Sequence, residues 1–269
     1  MATIKDALKD LEDSSIRHIV SLSGGKDSTA LAIYMNRHYP EIPVEYVFCD
    51  TGCELPETYE YLERVEALLG AKVIRVTAID QLGIEHKPGR NPFDLYLNEM
   101  YGGFLPTPRS RWCTRVLKIQ PFEAYVGKGQ AFSYIGIRAD ENREGYVAKK
   151  PPVLSKRPNI TPVYPFKDDG LGLADIKQIL EESGLGLPDY YKWRSRSGCY
   201  FCFYQQLGEW QRLKSHHPDY FDEAKKYEKI ENGRQFTWSE GRTLDEIAEL
   251  PLYPLQTSED TDGCAICHL

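Results

Sequence analysis

A run of serine, glycine and charged residues, Ser23-Gly24-Gly25-Lys26-Asp27-Ser28, separates an apolar segment from a helix-like one. The apolar segment is residues 19–22, and residues 29–37 have the composition of a helix. This order predicts a strand, a glycine turn and the N-terminus of a helix. Two glycines let the backbone approach a ligand closely, and the first N–H groups of a helix attract anions. The run therefore predicts a phosphate site.

The polar side chains of this run fit the same interpretation. Lys26 adds a mobile positive charge, and the hydroxyl groups of Ser23 and Ser28 can donate hydrogen bonds. The spacing differs from the Walker loop, which has four residues between its first glycine and Gly-Lys. A plain serine and glycine turn that caps a helix is the alternative.

The next segments predict a parallel sheet. Residues 44–49 read as a strand that ends in Asp50-Thr51-Gly52, residues 56–69 as a helix, and residues 72–76 as a further strand. Alternating strands and helices at this spacing predict an α/β fold with a doubly wound parallel sheet. Ligands of such sheets bind at the carboxyl ends of the strands, so the Ser23 loop and the Asp50 turn are expected to converge.

Later segments show weaker patterns. Residues 81–110 are rich in Gly, Pro, Tyr and Asn, and we interpret them as a substrate lid. A strand is expected at 132–137, an extended segment at 151–165, and helices at 1–13, 175–183, 205–215, 218–230 and 244–250. We expect a nucleotide-binding α/β domain at 1–165 and a helical C-terminal region, with CxxC motifs, at 166–269.

Composition limits the classes of function. The chain has 269 residues, 41% of them hydrophobic, and a net charge of −7, which gives no overall attraction to nucleic acid. No apolar run is long enough to span a membrane, and the N-terminus does not resemble a signal peptide. Seven cysteines without an export signal indicate a reducing, cytoplasmic location and thiols kept for metal or redox chemistry.

Four motifs in order carry a resemblance to a known family. They are the Ser23 to Ser28 run, Asp50-Thr51-Gly52 with Pro56-Glu57-Thr58, Gly136-Ile137-Arg138, and Cys199-x-x-Cys202. Together they resemble the phosphoadenosine phosphosulfate (PAPS) reductase family of the PP-loop ATP pyrophosphatase superfamily, over about residues 16–232. The resemblance implies an adenine nucleotide α-hydrolase-like sheet, with strand order 3-2-1-4-5, and a helical, cysteine-bearing C-terminal part.

The resemblance also implies roles for individual residues. Phosphates would be held by Ser23, Gly24, Gly25, Lys26, Asp27 and Ser28, and the nucleotide pocket would be lined by Asp50 and Thr51. Arg138 would face the anionic end of the substrate. Lys26, Asp27 and Arg138 would thus act in catalysis, on ATP with Mg²⁺ or on PAPS.

The cysteines imply a metal centre of the kind found in the family. Cluster-bearing sulfonucleotide reductases have a Cys-Cys pair before a distant CxxC, but here Trp112 replaces the first cysteine of the pair. Cys113, Cys199 and Cys202 remain as ligands for a [4Fe–4S] cluster, and zinc is the alternative. Cys264 or Cys267 would supply the fourth ligand, unless one iron stays open for sulfide. Cys49 ends an apolar strand and is interpreted as a buried hydrophobic residue.

The C-terminal residues Cys264-Ala265-Ile266-Cys267-His268-Leu269 also resemble the nucleophilic cysteine motif of the reductases. They lack its glutamate, and His268 directly follows Cys267. A thiolate beside an imidazolium is an activated nucleophile. Cys267 is therefore expected as a catalytic residue or as a metal ligand.

Three functions are consistent with these residues. The first is an ATP-dependent, iron–sulfur-containing sulfurtransferase that adenylates an acceptor and then thiolates it. The second is a PAPS or adenylylsulfate reductase that releases sulfite, and the third is a nucleotide-binding regulator with a structural metal. A sulfur donor or a reductant protein is an expected partner, whereas the net charge does not support a nucleic-acid acceptor. The acceptor, the sulfur donor and the oligomeric state do not follow from the sequence.

Overall fold

Five parallel strands form the central sheet of this protein, seen here in a computed structural model. The structure describes residues 2–85, 87–141, 156–231 and 234–255. The strands are β1 (Arg17–Leu22), β2 (Val44–Asp50), β3 (Val73–Thr77), β4 (Ala131–Tyr134) and β5 (Ile160–Val163). Their order in the sheet is β3-β2-β1-β4-β5, and every pairing within it is parallel. The doubly wound α/β fold and its strand order, as predicted from the sequence, are confirmed.

Helices cover both faces of this sheet, so its central strands are buried on both sides. The described α-helices are α1 (Ile4–Lys9), α2 (Lys26–His38), α3 (Pro56–Leu69), α4 (Ala78–Leu82), α5 (Pro92–Leu95), α6 (Trp112–Thr114), α7 (Gln120–Val126), α8 (Pro165–Asp168), α9 (Leu173–Glu182), α10 (Leu207–His216), α11 (Pro218–Lys226) and α12 (Leu244–Glu249). Helices α2, α3 and α9 contribute to the core on one face, and α7 contributes to the core on the other. Burial on both faces explains why the adjacent residues Ile19 and Val20 of β1 are both apolar and both buried.

Two of the helical segments contain π-helical turns. The turn Tyr96–Met100 directly follows α5, and the turn Arg115–Ile119 joins α6 to α7. Single π-helical turns inside α-helices occur frequently at functional sites. The second of these turns lies two residues after Cys113, one of the expected metal ligands.

A second core lies beside the sheet and is rich in aromatic side chains. It contains Phe93, Trp112, Tyr200, Phe201, Trp210, Phe221 and Trp238, among others. The ring centroid of Phe93 lies 5.2 Å from that of Trp112 and 4.3 Å from that of Phe201. Because these residues come from both sides of residue 165, the C-terminal helices pack directly on segments of the N-terminal half.

Several expected elements differ from those observed. Residues 81–110, interpreted as a lid, contain α5, and Phe93 in this helix is buried in the second core. The strand expected at 132–137 begins one residue earlier and ends at Tyr134. The helix expected at 218–230 ends at Lys226, and residues Lys229–Glu231 form strand β6, which pairs antiparallel with β7 (Arg234–Phe236).

Other expectations agree with the structure in kind. The N-terminal helix is present but shorter, at Ile4–Lys9, and the helices after residue 165 lie close to their expected positions. The extended segment expected at 151–165 lies partly outside the described residues, and its described part contains β5. Within the described part of the chain, no helix combines the length and apolar character that crossing a membrane requires.

Candidate functional site

The phosphate loop, residues 23–28, connects the carboxyl end of β1 to the N-terminus of α2. Gly24 has a φ of +71°, a conformation that residues with a Cβ rarely adopt. A Cβ on Gly25 would lie 2.5 Å from Ser197 Oγ, and one on Gly24 would lie 2.5 Å from Thr58 Cγ2. The two glycines are therefore required by the packing of the loop.

Three serine hydroxyl groups gather at this loop. Ser23 Oγ lies 3.0 Å from Ser28 Oγ and 3.4 Å from Ser197 Oγ. The backbone N–H of Ser23 donates to Ser28 Oγ at 3.1 Å, which fixes the loop from within. Ser23 and Ser28 were expected here from the sequence, but Ser197 was not, since it comes from a segment 174 residues away.

Asp27 binds two cationic side chains beside the loop. Its carboxylate accepts hydrogen bonds from Lys26 Nζ at 3.2 Å and from the Arg138 guanidinium at 3.0 Å. Arg138 also donates to Asp140 at 3.0 Å. Lys26 and Arg138 are each only 2% exposed. The structure thus brings together the three residues that were expected to act on the anionic part of the substrate.

Gly136, which precedes Arg138 in its motif, lies against α2. A Cβ at this position would lie 2.9 Å from the backbone oxygen of Asp27. Because the clash would involve backbone, it could be relieved only by a shift of α2 or of the segment after β4. This close approach holds Arg138 beside the phosphate loop.

The nucleotide turn, residues 50–52, follows β2, the strand that neighbours β1. Asp50 accepts hydrogen bonds from the N–H of Gly52 and from the hydroxyl of Tyr59, both at 2.8 Å. The hydroxyl of Thr51 donates to Glu54 at 2.8 Å. Since neighbouring parallel strands end at the same edge of a sheet, this turn and the phosphate loop lie side by side.

Glu54 is a buried residue that the sequence analysis did not single out. Its carboxylate accepts from the N–H groups of Thr51 and Cys53, both at 3.3 Å, and lies 3.9 Å from Lys118 Nζ. Burial raises the pKa of this carboxyl, while the ammonium group of Lys118 opposes the shift. Glu54 therefore ties the nucleotide turn to the helical segment that follows Cys113.

Cys113, Cys199 and Cys202 line a single cavity of about 40 Å³, together with Thr51 and Lys118. Thr51 Oγ1 lies 3.3 Å from Cys199 Sγ, so a thiol touches the nucleotide turn. Burial and the neighbouring Cys202 raise the pKa of Cys113 to about 11. Burial, and next the carboxylate of Glu54, raise the pKa of Cys199 to about 12. Both residues are thus neutral thiols at pH 7.

The sulfur donors of this cavity are of the kind that both zinc sites and iron–sulfur clusters use. Among the described residues, no group of three His, Cys, Asp or Glu side chains converges on one point that could hold a metal ion. A structural zinc ion requires its sulfur ligands at about 2.3 Å from one centre. In a [4Fe–4S] cluster each thiolate binds a different iron, so the sulfur atoms surround a larger group.

The remaining cysteines occupy different places. Cys49 is buried in β2, as expected, and its thiol donates to the backbone oxygen of Lys118 at 3.4 Å. Cys53, which carried no specific expectation, is buried in the second core. None of the cysteines in the described part of the chain forms a disulfide. Cys264 and Cys267, expected as a ligand and as a nucleophile, lie outside the described residues.

A family model described as the phosphoadenosine phosphosulfate reductase domain matches residues 17–202 of this chain. An uncharacterised protein of Methanocaldococcus jannaschii is 26% identical over 220 residues, which are 80% of this chain and 40% of that protein. An uncharacterised nin-region protein of Escherichia phage lambda is 33% identical over 144 residues, covering 46% of this chain and 49% of that protein. The chain thus spans less than half the length of these two relatives.

Two solved structures are also similar to this chain. A phosphoadenylyl-sulfate reductase from Candida auris in complex with phosphate has a TM-score of 0.48 and 12% identity, covering 74% of this chain and 88% of that one. The U34-tRNA thiolase NcsA from Methanococcus maripaludis, with its [4Fe–4S] cluster, has a TM-score of 0.39 and 18% identity. That match covers 83% of this chain and 77% of the thiolase.

Proposed function

The chain belongs to the phosphoadenosine phosphosulfate reductase domain family, and from this premise we propose that it is an ATP-dependent sulfurtransferase of the PP-loop type. ATP activates an oxygen of the acceptor by adenylation, and sulfur then replaces that oxygen. The observation that carries the proposal is the contact between Thr51 and Cys199, at 3.3 Å. Through this contact the nucleotide turn and the thiol cavity form one site.

The phosphate loop supports the use of a triphosphate. Three hydroxyl groups and the ammonium group of Lys26 surround the N-terminus of α2, where backbone N–H groups also attract anions. Arg138 adds a second cation that Asp27 holds in place. Fixed positive charge of this kind stabilises charge that develops on a leaving pyrophosphate.

The reaction has two steps. First, the acceptor oxygen attacks the α-phosphorus of ATP, the bond to the β-phosphate breaks, and pyrophosphate leaves with the electron pair. Lys26 and Arg138 neutralise the pyrophosphate charge, and Mg²⁺ enters with ATP as part of the substrate. Second, a sulfur nucleophile at the oxidation level of sulfide attacks the activated atom of the acceptor. The bond from that atom to oxygen breaks, and AMP leaves.

Cys113, Cys199 and Cys202 would hold a [4Fe–4S] cluster at this site, and Cys264 is proposed as the fourth ligand. When bound, such a cluster supplies iron that binds and polarises sulfur. The chain itself positions the three thiols around one cavity that Thr51 also lines, and it places Cys199 next to Thr51. Because ligation requires thiolates, cluster assembly would release the protons that burial now keeps on Cys113 and Cys199.

Metal analysis of the wild-type protein, of one cysteine variant and of a truncated chain tests the proposed cluster. We expect protein purified without oxygen to contain iron and sulfide, and Cys199→Ser to lose both while it still binds ATP. About one zinc per chain and no iron would overturn the cluster. Removal of residues 263–269 is expected to lower the iron content strongly and to change ATP affinity little, because these residues include Cys264, the proposed fourth ligand.

Nucleotide preference separates the sulfurtransferase from the reductase. We expect ATP with Mg²⁺ to bind more tightly than PAPS in calorimetry. Pyrophosphate is expected only when a true acceptor is present. Release of sulfite from PAPS with thioredoxin as reductant, abolished by Cys267→Ser with the metal content unchanged, would replace the proposal with PAPS reduction.

A further inference from the structure

The hydroxyl group of Tyr191 lies where a phosphate oxygen would bind the phosphate loop. The backbone N–H of Lys26 donates to Tyr191 Oη at 3.3 Å, and Lys26 Nζ lies 5.7 Å from the centre of the Tyr191 ring. The N–H groups of a first helical turn have no carbonyl partner within the helix, which is why they bind phosphates. In this structure a tyrosine hydroxyl accepts from one of them.

The neighbouring Tyr190 also contacts the loop, but with the opposite polarity. Its hydroxyl donates to the backbone oxygen of Gly24 at 2.7 Å. A carbonyl oxygen does not bind phosphate, so this hydrogen bond does not compete with a nucleotide. The two rings stack with centroids 4.9 Å apart, in the 3₁₀ turn Asp189–Lys192. Within this pair, therefore, only Tyr191 accepts a hydrogen bond that a phosphate would need.

We propose that a phosphate group of the nucleotide and the Tyr191 hydroxyl exchange places at the Lys26 N–H, so that nucleotide binding displaces the turn Asp189–Lys192. The inference rests on the proposed function only in that the phosphate loop binds a nucleotide. It adds a residue that sets nucleotide affinity and a physical link from the phosphate loop to the thiol cavity.

Arg194 provides that link. Its backbone N–H donates to the oxygen of Tyr190 at 2.8 Å, and its guanidinium donates to the oxygens of Gly198 and Cys199 at 3.0 and 2.7 Å. The side chain is almost fully buried. Displacement of Tyr191 moves the turn to which the Arg194 backbone is hydrogen-bonded. Because the Arg194 guanidinium is hydrogen-bonded to the Cys199 oxygen, the backbone of Cys199 moves as well. Coupling of this kind is reciprocal, so the state of the thiols also changes phosphate affinity.

Ser197 reinforces the same connection. Its hydroxyl lies 3.4 Å from Ser23 Oγ, in the phosphate loop, and it precedes Cys199 by two residues. The segment 190–199 thus touches the loop at Gly24, Lys26 and Ser23 before it reaches the cavity. A change at the phosphate loop is transmitted over a few residues of one continuous segment.

Calorimetry with paired variants tests the exchange. We expect Tyr191→Phe to bind both ATP with Mg²⁺ and inorganic tripolyphosphate about two- to tenfold more tightly, because one intramolecular hydrogen bond no longer competes. The matched variant Tyr190→Phe is expected to show no gain. Weaker or unchanged binding by Tyr191→Phe, or an equal gain by both variants, overturns the exchange.

Hydrogen exchange of the wild-type protein tests the displacement. With saturating tripolyphosphate, the amides of Trp193 and Arg194, which donate to the Tyr190 oxygen, are expected to exchange faster, while those of β3 do not change. Slower or unaltered exchange at 189–199 overturns the displacement. If Tyr191→Phe binds tripolyphosphate more tightly than the wild type and Tyr190→Phe does not, but ATP does not bind, the proposed function fails and the exchange stands. If ATP binds but Tyr191→Phe weakens it, the exchange fails alone, and no binding of either probe overturns both.

Discussion

Gly25 shows how one missing side chain keeps two segments in contact. Ser197 Oγ occupies the space that a Cβ would fill, so the phosphate loop and the segment before Cys199 can approach each other only at a glycine. Overpacking in a closely packed region typically costs about 1–3 kcal/mol. A side chain at residue 25 would therefore destabilise the contact between the phosphate loop and the segment before Cys199.

Replacement of Gly25 by alanine is therefore expected to lower stability by about 1–3 kcal/mol and to weaken ATP binding. Urea unfolding and calorimetry measure the two effects. Gly129→Ala is the matched control, since a Cβ there meets nothing within 4 Å and should change stability by less than about 0.5 kcal/mol. Equal effects of the two substitutions would contradict the role of the Ser197 contact.

Lys26 permits a separate prediction about charge. Loss of a charge-assisted hydrogen bond typically costs about 1.5–3 kcal/mol, so Lys26→Ala should weaken ATP binding by at least tenfold. Lys72→Ala is the control, because Lys72 lies on the surface and pairs only with Glu66 among the described residues. An unchanged dissociation constant for Lys26→Ala would remove the loop from the phosphate site.

The sequence identified residues whose chemistry is local, and it missed those placed by tertiary structure. Ser23, Lys26 and Ser28 lie in one short motif, so their convergence follows from a strand, a turn and a helix. Ser197 and Tyr191 reach the same loop from more than 160 residues away. No spacing rule in the sequence connects them to it, because their positions depend on the packing of the second core.

Strand β1 also carries a buried histidine that affects the stability of the sheet. His18 Nδ1 lies 2.8 Å from the hydroxyl of Tyr134, and its ring stacks on Phe132, both in β4. Burial lowers the pKa of His18, although Asp10 opposes the shift. The folded protein therefore binds a proton at this ring less readily than the unfolded chain does.

This shift predicts that stability falls as the pH drops below about 6.5, the ordinary value for histidine. Below that pH the unfolded state binds a proton that the folded state does not, with a slope of up to about 1.4 kcal/mol per pH unit. The stability difference between wild type and His18→Gln should thus shrink by about 1 kcal/mol between pH 8 and pH 5.5 in urea unfolding. A constant difference for His18→Gln over this pH range would refute the assignment.

Strands and helices were predictable where the apolar period is regular, and less so where aromatic packing decides. Helix α3 begins and ends where Pro56 and Gly70 predict, with Gly70 in a left-handed conformation. The segment 81–110 looked irregular because of its glycine and proline content, yet it contains the short helix α5, which packs Phe93 into the second core. Local composition alone does not show that a segment without a clear period is held by distant aromatic rings.

The second core determines the position of the cysteines in the molecule as a whole. Phe201, within the Cys199-x-x-Cys202 motif, stacks near Phe93 and Trp238, and Trp112 precedes Cys113. Four separated parts of the chain are thus joined by one set of rings. Phe201 and Trp238 of this core also line the thiol cavity, so we expect the cavity to depend on the aromatic packing.

Phe93→Ala is accordingly expected to lower the free energy of unfolding by about 3–5 kcal/mol and to reduce iron retention. Met100→Ala, at a side chain that is 72% exposed, is the control and should leave both unchanged. Urea unfolding and iron analysis of the purified variants measure the two effects. Full iron content in a destabilised Phe93→Ala protein would show that the cavity forms independently of this core.

The composition of the second core has a practical consequence for dividing the chain. The family match ends at residue 202, whereas Trp210, Phe221, Trp238 and Ile247 belong to the same core as Phe93 and Trp112. A recombinant fragment cut at the edge of the family match would leave those rings exposed to water and is expected to aggregate. A fragment that continues past α12 would retain them. The family match thus ends before the second core does, and a fragment made for experiments on this protein should include residues 203–247.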